Sequence, residues 1–362
     1  MLALRAHYAG ADVVLEEVET PEPGPQDVLI KVAAAGLAPG MMTMLAWGAF
    51  KHLPTTLGHE IAGTVVAIGD DVDPALVGSR VRVHPNLTCR VCDYCLSDRE
   101  QMCSEQAMIG HAGFGDGAMS LYERYHDGGL AAYVRVPGWL VDTLPDNISF
   151  DVGAKVHDLA NAARALRLAV QRPASSLLVT AATGTMGTAT IKLAPHFGVD
   201  QLILVGRDAA RLAAVSALAD VAVETIALNE LPPSWETEAG LTAAVRQHFP
   251  HGVDAAIDYL PSGAGTSQAV AALAKGANLV HIGGNPAPLA LPMGALLANC
   301  WRVIGSHSCT RSDSTTVLEL LASGALEVDE LITHRFPLES IQDALTLMAD
   351  RHEPMWMGVV HP

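Results

Sequence analysis

Apolar positions in the first 150 residues fall in short runs broken by Gly, Pro and Asp. VLIKVAAAG (28–36), IAGTVVAIG (61–69) and SRVRVHP (79–85) are rich in Val or Ile, and each predicts a strand. The texture changes near Phe150. From there to about Cys300, wholly apolar strand-like runs alternate with helical periodicity. SSLLVTAA (175–182), QLILVGR (201–207), VDAAIDYL (253–260) and NLVHIGG (278–284) predict buried strands. GTMGTATIKLAPHFG (184–198), DAARLAAVSALA (208–219) and SQAVAALAKG (267–276) predict the helices between them. Continuous apolar strands alternating with helices specify an α/β architecture with a doubly wound parallel sheet. The tail is mixed: TVLELLASGAL (316–326) and SIQDALTLMAD (340–350) predict amphipathic helices, and MGVV (357–360) a last strand. Pro195 is expected to end or kink its helix, because it lacks an N–H and its ring crowds the preceding turn.

Composition narrows the class. The 362 residues suit two domains rather than one core, and half are hydrophobic, with 32 glycines. The 22 Lys and Arg against 39 Asp and Glu give a net charge of −17, which disfavours a nucleic-acid partner. The N-terminal stretch lacks the order of a secretory signal, and no apolar run reaches the roughly 20 residues of a membrane span. These features predict a soluble, cytoplasmic protein acting on a small molecule, with neither nucleic acid nor membrane as partner. In that compartment clustered cysteines hold metal more often than they form disulfides.

Four of the six cysteines lie in CRVCDYCLSDREQMC (89–103). Cys89, Cys92, Cys95 and Cys103 have the spacing of thiolates converging on one tetrahedral ion. Zinc fits; an iron–sulfur cluster is the rival. Four protein ligands close the shell, so a zinc there is structural. Cys300 and Cys309 have no partner pattern and are expected to be buried apolar side chains.

VTAATGTMG (179–187) follows a strand and opens a helix, as a dinucleotide-binding turn does. Read as A-x-G-x-x-G, it places Ala182, Gly184 and Gly187 at the fingerprint positions, with Thr183, Thr185 and Met186 between them. Ala182 departs from the usual first glycine. The next strand ends in Gly206 and Arg207 where an NAD site has an acid, and a small residue followed by a guanidinium favours the 2′-phosphate of NADP. Asp208 keeps NAD open. Gly283, the first glycine of NLVHIGG, completes the candidate cofactor-binding set.

LGHEIAGTVVAIGDDV (57–72) resembles the G-H-E-x-x-G-x-V-x-x-x-G-x-x-V signature of the zinc-type alcohol dehydrogenases of the medium-chain dehydrogenase/reductase superfamily. The four-cysteine lobe, the GGLAAYVRVP stretch (128–137) and the turn near Ala182 follow in the family's order. The resemblance implies a GroES-like, mainly-β catalytic domain (1–150 and 301–362) around a Rossmann domain (151–300). It also implies hydride transfer between a nicotinamide and an alcohol or carbonyl, and assembly as a homodimer or homotetramer.

The family's catalytic zinc takes an early Cys, the His of GHE, and a third ligand shortly before the Rossmann domain. His59 and Glu60 match. In GLAPGMM (36–42), Ala38 stands at the thiolate position, Gly40 at that of a proton-relaying hydroxyl and Met41 at that of an Asp. In GAKVHDLANAARAL (153–166), His157 falls at the third position, with Asp158 beside it. Two readings stand: a remodelled N/O site built on His59, Glu60 and His157 or Asp158, or a centre without catalytic metal. In the second, His59, Glu60, His157, Asp158 or Thr43 supplies the proton or hydrogen bond. Met41, Met44 and Trp47 are expected to line an apolar pocket. His111 and His126, flanking AGFGDGAMSLYERY (112–125), are expected at the surface. Three functions remain: a dehydrogenase with a rebuilt zinc site, an NADPH-dependent enone or quinone reductase without active-site zinc, and a nucleotide-binding protein that has lost catalysis.

Overall fold

The computed structural model describes residues 1–10, 12–173 and 175–362. The chain divides into two compact units, Met1–His157 with Cys309–Pro362, and Asp158–Ser308.

The first unit is built on a seven-stranded sheet. Its path runs Val141–Thr143, Arg80–Val83, Ile61–Ile68, Asp27–Leu37, Met357–His361 and Ile332–Pro337, with Tyr133–Pro137 also paired to Asp27–Leu37. The C-terminal strand is antiparallel to Asp27–Leu37, Val359 lying opposite Gly36, so the end of the chain completes the sheet that carries GLAPGMM. Val28, Ile30, Val32, Ile61, Val81 and Val134 of this sheet join Leu57 in a continuous buried core. Ala38 precedes Pro39, whose ring bars the helical conformation to its neighbour. Ala38 is accordingly extended (φ −121°, ψ 112°), and the helix Pro39–Ala46 begins at the proline.

The second unit holds six parallel strands in the order Ala222–Ala227, Val199–Gly206, Ser175–Val179, Val253–Asp258, Leu273–His281 and Arg302–Gly305. This is the doubly wound order, with the topological switch at Ser175–Val179. The central strands are apolar on both faces because helices cover both. The helix Thr185–Leu193 stops before Pro195 and tightens into a 3₁₀ turn ending at Gly198 (φ +82°), as the proline predicts. SQAVAALAKG is helical only to Ala271; from Leu273 it is already strand, because the parallel ladder extends back to Leu273. The helix Phe150–Ala169 contains the boundary between the units.

Candidate active site

Gly58 adopts φ +101°, which a side chain would resist, and a Cβ there would lie 2.8 Å from the Leu130 amide nitrogen. This turn delivers His59 and Glu60 into the first unit's interior, where they are 5% and 1% exposed. Gly36 makes the matching space, since a Cβ on it would lie 2.0 Å from Glu60 Oε2. Glu60 Oε2 accepts a short hydrogen bond from the Lys155 ammonium, which also donates to the Leu37 carbonyl at 3.3 Å. Lys155 is wholly buried.

A row of imidazoles surrounds this pair. The His59 ring lies 4.6 Å from that of His111 and 5.2 Å from that of His157, both edge-on. His157 Nδ1 is 3.5 Å from Cys309 Sγ, which contacts Ser314, and the Ser314 hydroxyl reaches His84 Nδ1 at 3.4 Å. Burial drives these groups toward their neutral forms. It holds His59 well below the ordinary imidazole range, helped by His111, His157 and Lys155. It holds His84 there too, helped by Arg82. Burial also pushes His111 down to about 3 and the Cys309 thiol up to about 12. His59 Nδ1 and His111 Nδ1 have no hydrogen-bond partner among the described residues.

Several expectations change here. His111 is buried in this cluster rather than at the surface, and His126 is half-buried, bonded to the Thr55 hydroxyl. Met41 is a core residue, Met44 packs on that core, and Trp47 is 63% exposed. Thr43 is exposed, its hydroxyl directed at the Pro39 carbonyl. Asp158, 8% exposed, belongs to the second unit. Cys300 is exposed, whereas Cys309 is buried as expected. Lys155 went unread. It is the one lysine of its helix and lies among the buried residues Ala154, Val156 and Leu159, with His157 and Asp158 as the other polar residues of the segment.

The sulfurs of Cys89, Cys92, Cys95 and Cys103 lie within 4.8 Å of one another. The Cys92 amide donates to Cys89 Sγ, and the amides of Cys89 and Glu105 donate to Cys103 Sγ, bonds that favour thiolates. Burial pushes the Cys95 thiol up to about 12, a cost that a bound dication would remove. The donor set fits zinc. The surroundings of His59 do not fit a second ion. Among the described residues, the four cysteines are the only set of three or more His, Cys, Asp or Glu ligand atoms this close together, and Ala38 offers no donor.

In the second unit, Gly184 caps the helix Thr185–Leu193 at the carboxyl end of the central strand, where helix amides favour anions. A Cβ on Gly187 would lie 2.4 Å from the Ala182 carbonyl oxygen, so only glycine allows this approach of turn and helix. Ala181 bears the turn's left-handed residue (φ +47°). A Cβ on Gly283 would lie 2.3 Å from the Leu260 carbonyl oxygen, so that glycine packs against the end of the neighbouring strand. Gly206 is buried and Arg207 exposed, with no side-chain partner for Arg207 among the described residues. Asp208 is committed to capping the next helix through the Arg211 amide at 2.9 Å.

Residues 24–146 match the family model described as the alcohol dehydrogenase GroES-like domain, and residues 185–323 that of the zinc-binding dehydrogenase. A sorbitol dehydrogenase from Bombyx mori is 30% identical over 347 residues, covering 94% of this chain and 93% of that protein. An L-galactonate-5-dehydrogenase from Escherichia coli is 26% identical over 354 residues, covering 96% of each. A structure from Sinorhizobium meliloti 1021, described as a zinc-binding dehydrogenase bound to NADP, superposes with a TM-score of 0.84 at 25% identity, covering 100% of this chain and 99% of that one. No helix among the described residues is long and apolar enough to cross a membrane.

Proposed function

The chain belongs to the zinc-type alcohol dehydrogenase family of medium-chain oxidoreductases, and from that membership we propose that it is an NADP-dependent dehydrogenase interconverting a secondary alcohol and its carbonyl. The observation that carries the cofactor reading is the exposed Arg207 guanidinium beside an Asp208 whose carboxylate already caps a helix. A cation at that strand end suits a 2′-phosphate, and an occupied carboxylate suits a ribose diol poorly. The NADP in the Sinorhizobium structure supports the same reading.

The Ala182–Gly187 turn and the amides of the following helix would hold the pyrophosphate, and Arg207 the 2′-phosphate. When bound, the reduced cofactor would supply the hydride for the carbonyl carbon, and the proton for the oxygen would come from the medium. The first unit's task is to hold the oxygen and stabilise the charge it gains. His59 and His111 suit that task, because each is a buried neutral imidazole with an unpartnered Nδ1. The sorbitol and galactonate names among the relatives support an alcohol flanked by further hydroxyls. The thiolate lobe would hold one zinc that cross-links residues 89–103 and performs no chemistry.

A second reading, reduction of an activated alkene, is favoured by Ala38 and Gly40, which supply neither thiolate nor relay hydroxyl. A homo-oligomer formed along the sheet edge is supported by the edge strand Arg302–Gly305 and the exposed Met293, Leu297 and Val303. The experiment is a substrate panel of ketones, aldehydes, enones and polyols, followed by NADPH and NADH absorbance. Turnover of ketones with NADPH, and of polyols with NADP+, is expected. Turnover of enones alone transfers the assignment to the second reading, and NADPH binding without any turnover sinks both.

A further inference from the structure

The residues around His59 describe a centre that has exchanged one cation for another. In the family the carboxylate of the G-H-E signature lies beside the catalytic metal. Here that carboxylate, Glu60, is taken by the Lys155 ammonium, and both side chains have no exposed surface. Lys155 is anchored a second time on the carbonyl of Leu37, the residue preceding the position where the family has its thiolate. Ala38 removes the thiolate ligand, His157 puts a neutral imidazole at the third ligand position, and Lys155 neutralises the carboxylate beside the metal's place. The donors left near His59 in this unit are His111, His157 and, against His157, the Cys309 thiol, which burial keeps protonated; among the described residues no three of these ligand atoms, with those of His59 and Glu60, come within 4.8 Å of one another. A dication at this place would meet neutral imidazoles, no uncompensated thiolate or Glu60 carboxylate, and an ammonium that repels it. A substrate oxygen that becomes negative meets the reverse: two imidazole Nδ1 atoms that can donate to it, and a nearby positive charge.

We propose, resting on the oxidoreductase reading above, that this chain binds one zinc and not two, and that the Lys155–Glu60 pair replaces the second ion, leaving His59 and His111 to hydrogen-bond the substrate oxygen. His59 and His111 are then the catalytic residues, and Lys155 is a positioning residue that fixes Glu60 and lends its charge to the centre. His111 takes the place the lost thiolate leaves vacant in the chemistry: it acts from the loop that follows the cysteine lobe, and as a hydrogen-bond donor instead of a metal ligand.

The test counts zinc per chain by elemental mass spectrometry on the full-length protein purified without chelator. Wild type, His59→Ala, His111→Ala and Ala38→Cys/Lys155→Leu are compared. One zinc is expected in the first three. The double variant regains a thiolate and frees Glu60, so it is expected to gain zinc relative to wild type. Two zincs in wild type, with one lost in His59→Ala, overturn the proposal. The wild-type and His59→Ala counts decide the metal question even if the double variant fails to fold, and they do not depend on turnover. A wild type with one zinc that turns over no substrate therefore defeats the functional reading without touching the metal claim. Where turnover is found, His111→Ala is expected to lower kcat roughly 100-fold with KM little changed, the effect of removing an oxyanion donor. Unchanged kcat in His111→Ala overturns the role given to His111.

Discussion

Lys155 and Glu60 form an ion pair with neither side chain open to solvent, joined across 95 positions of sequence. Removing one partner leaves the other charge buried and uncompensated. Lys155→Met is expected to cost about 3–5 kcal/mol of stability. The double substitution Lys155→Met/Glu60→Gln is expected to cost less, because no bare charge remains. Urea unfolding of the two variants and of Glu60→Gln measures the coupling. Additive losses would show that the pair is not one unit.

Acid should unfold the protein through its buried imidazoles. The unfolded chain carries histidines near the ordinary 6.5, while the folded chain holds His59 and His84 well below it and His111 near 3. Between those values the unfolded state binds more protons, so stability rises with pH there. The contribution is fully present above about pH 6.5 and is lost as the pH falls, His111's share running out near pH 3. Unfolding midpoints measured across this window should decline more gently in His111→Phe than in wild type.

The cofactor turn is expected to tolerate no side chain at Gly187. A Cβ there meets Ala182 backbone oxygen at 2.4 Å, so Gly187→Ala must move either the turn or the helix start. NADPH affinity, read by fluorescence titration, should fall roughly tenfold or more, equivalent to about 1.4 kcal/mol. Thermal stability of the second unit should fall with it.

Arg207→Ser should discriminate the cofactors. A guanidinium on a phosphate contributes charge-assisted hydrogen bonds of about 1.5–3 kcal/mol. NADPH should weaken by about tenfold or more while NADH changes little, as measured by KM for each. Equal losses for both would remove the 2′-phosphate contact.

Cys95→Ser opens the thiolate lobe, in which Cys95 Sγ lies 3.8 Å from that of Cys89 and 3.6 Å from that of Cys92. Loss of zinc and about 4 kcal/mol or more of stability are expected, the scale of a lost metal site. Limited proteolysis should cut within residues 89–103. An intact lobe with undiminished zinc would contradict a closed structural site.

The sequence by itself determined the features carried by local pattern. Apolar periodicity specified the parallel sheet, because a strand covered by helices on both sides must be apolar on both faces. Cysteine spacing specified the lobe, because thiolates a few residues apart reach one point whatever surrounds them. Glycine spacing specified the turn at Ala182. The helix break at Pro195 needed only the missing N–H.

Tertiary structure decided what the polar residues near His59 do. His111 reads as a loop histidine and becomes a buried neighbour of His59 only because the chain after the cysteine lobe folds back on this unit. Lys155 carries no local signal of a role and becomes Glu60's counter-ion only because the helix around it is buried on nearly every side. Gly36 reads as a strand end and proves to be the space for a carboxylate. The physical reason is the same in each case. Burial sets the charge state, hydrogen-bond needs and partners of a polar side chain, and burial is a property of segments meeting across the fold, which no local pattern encodes.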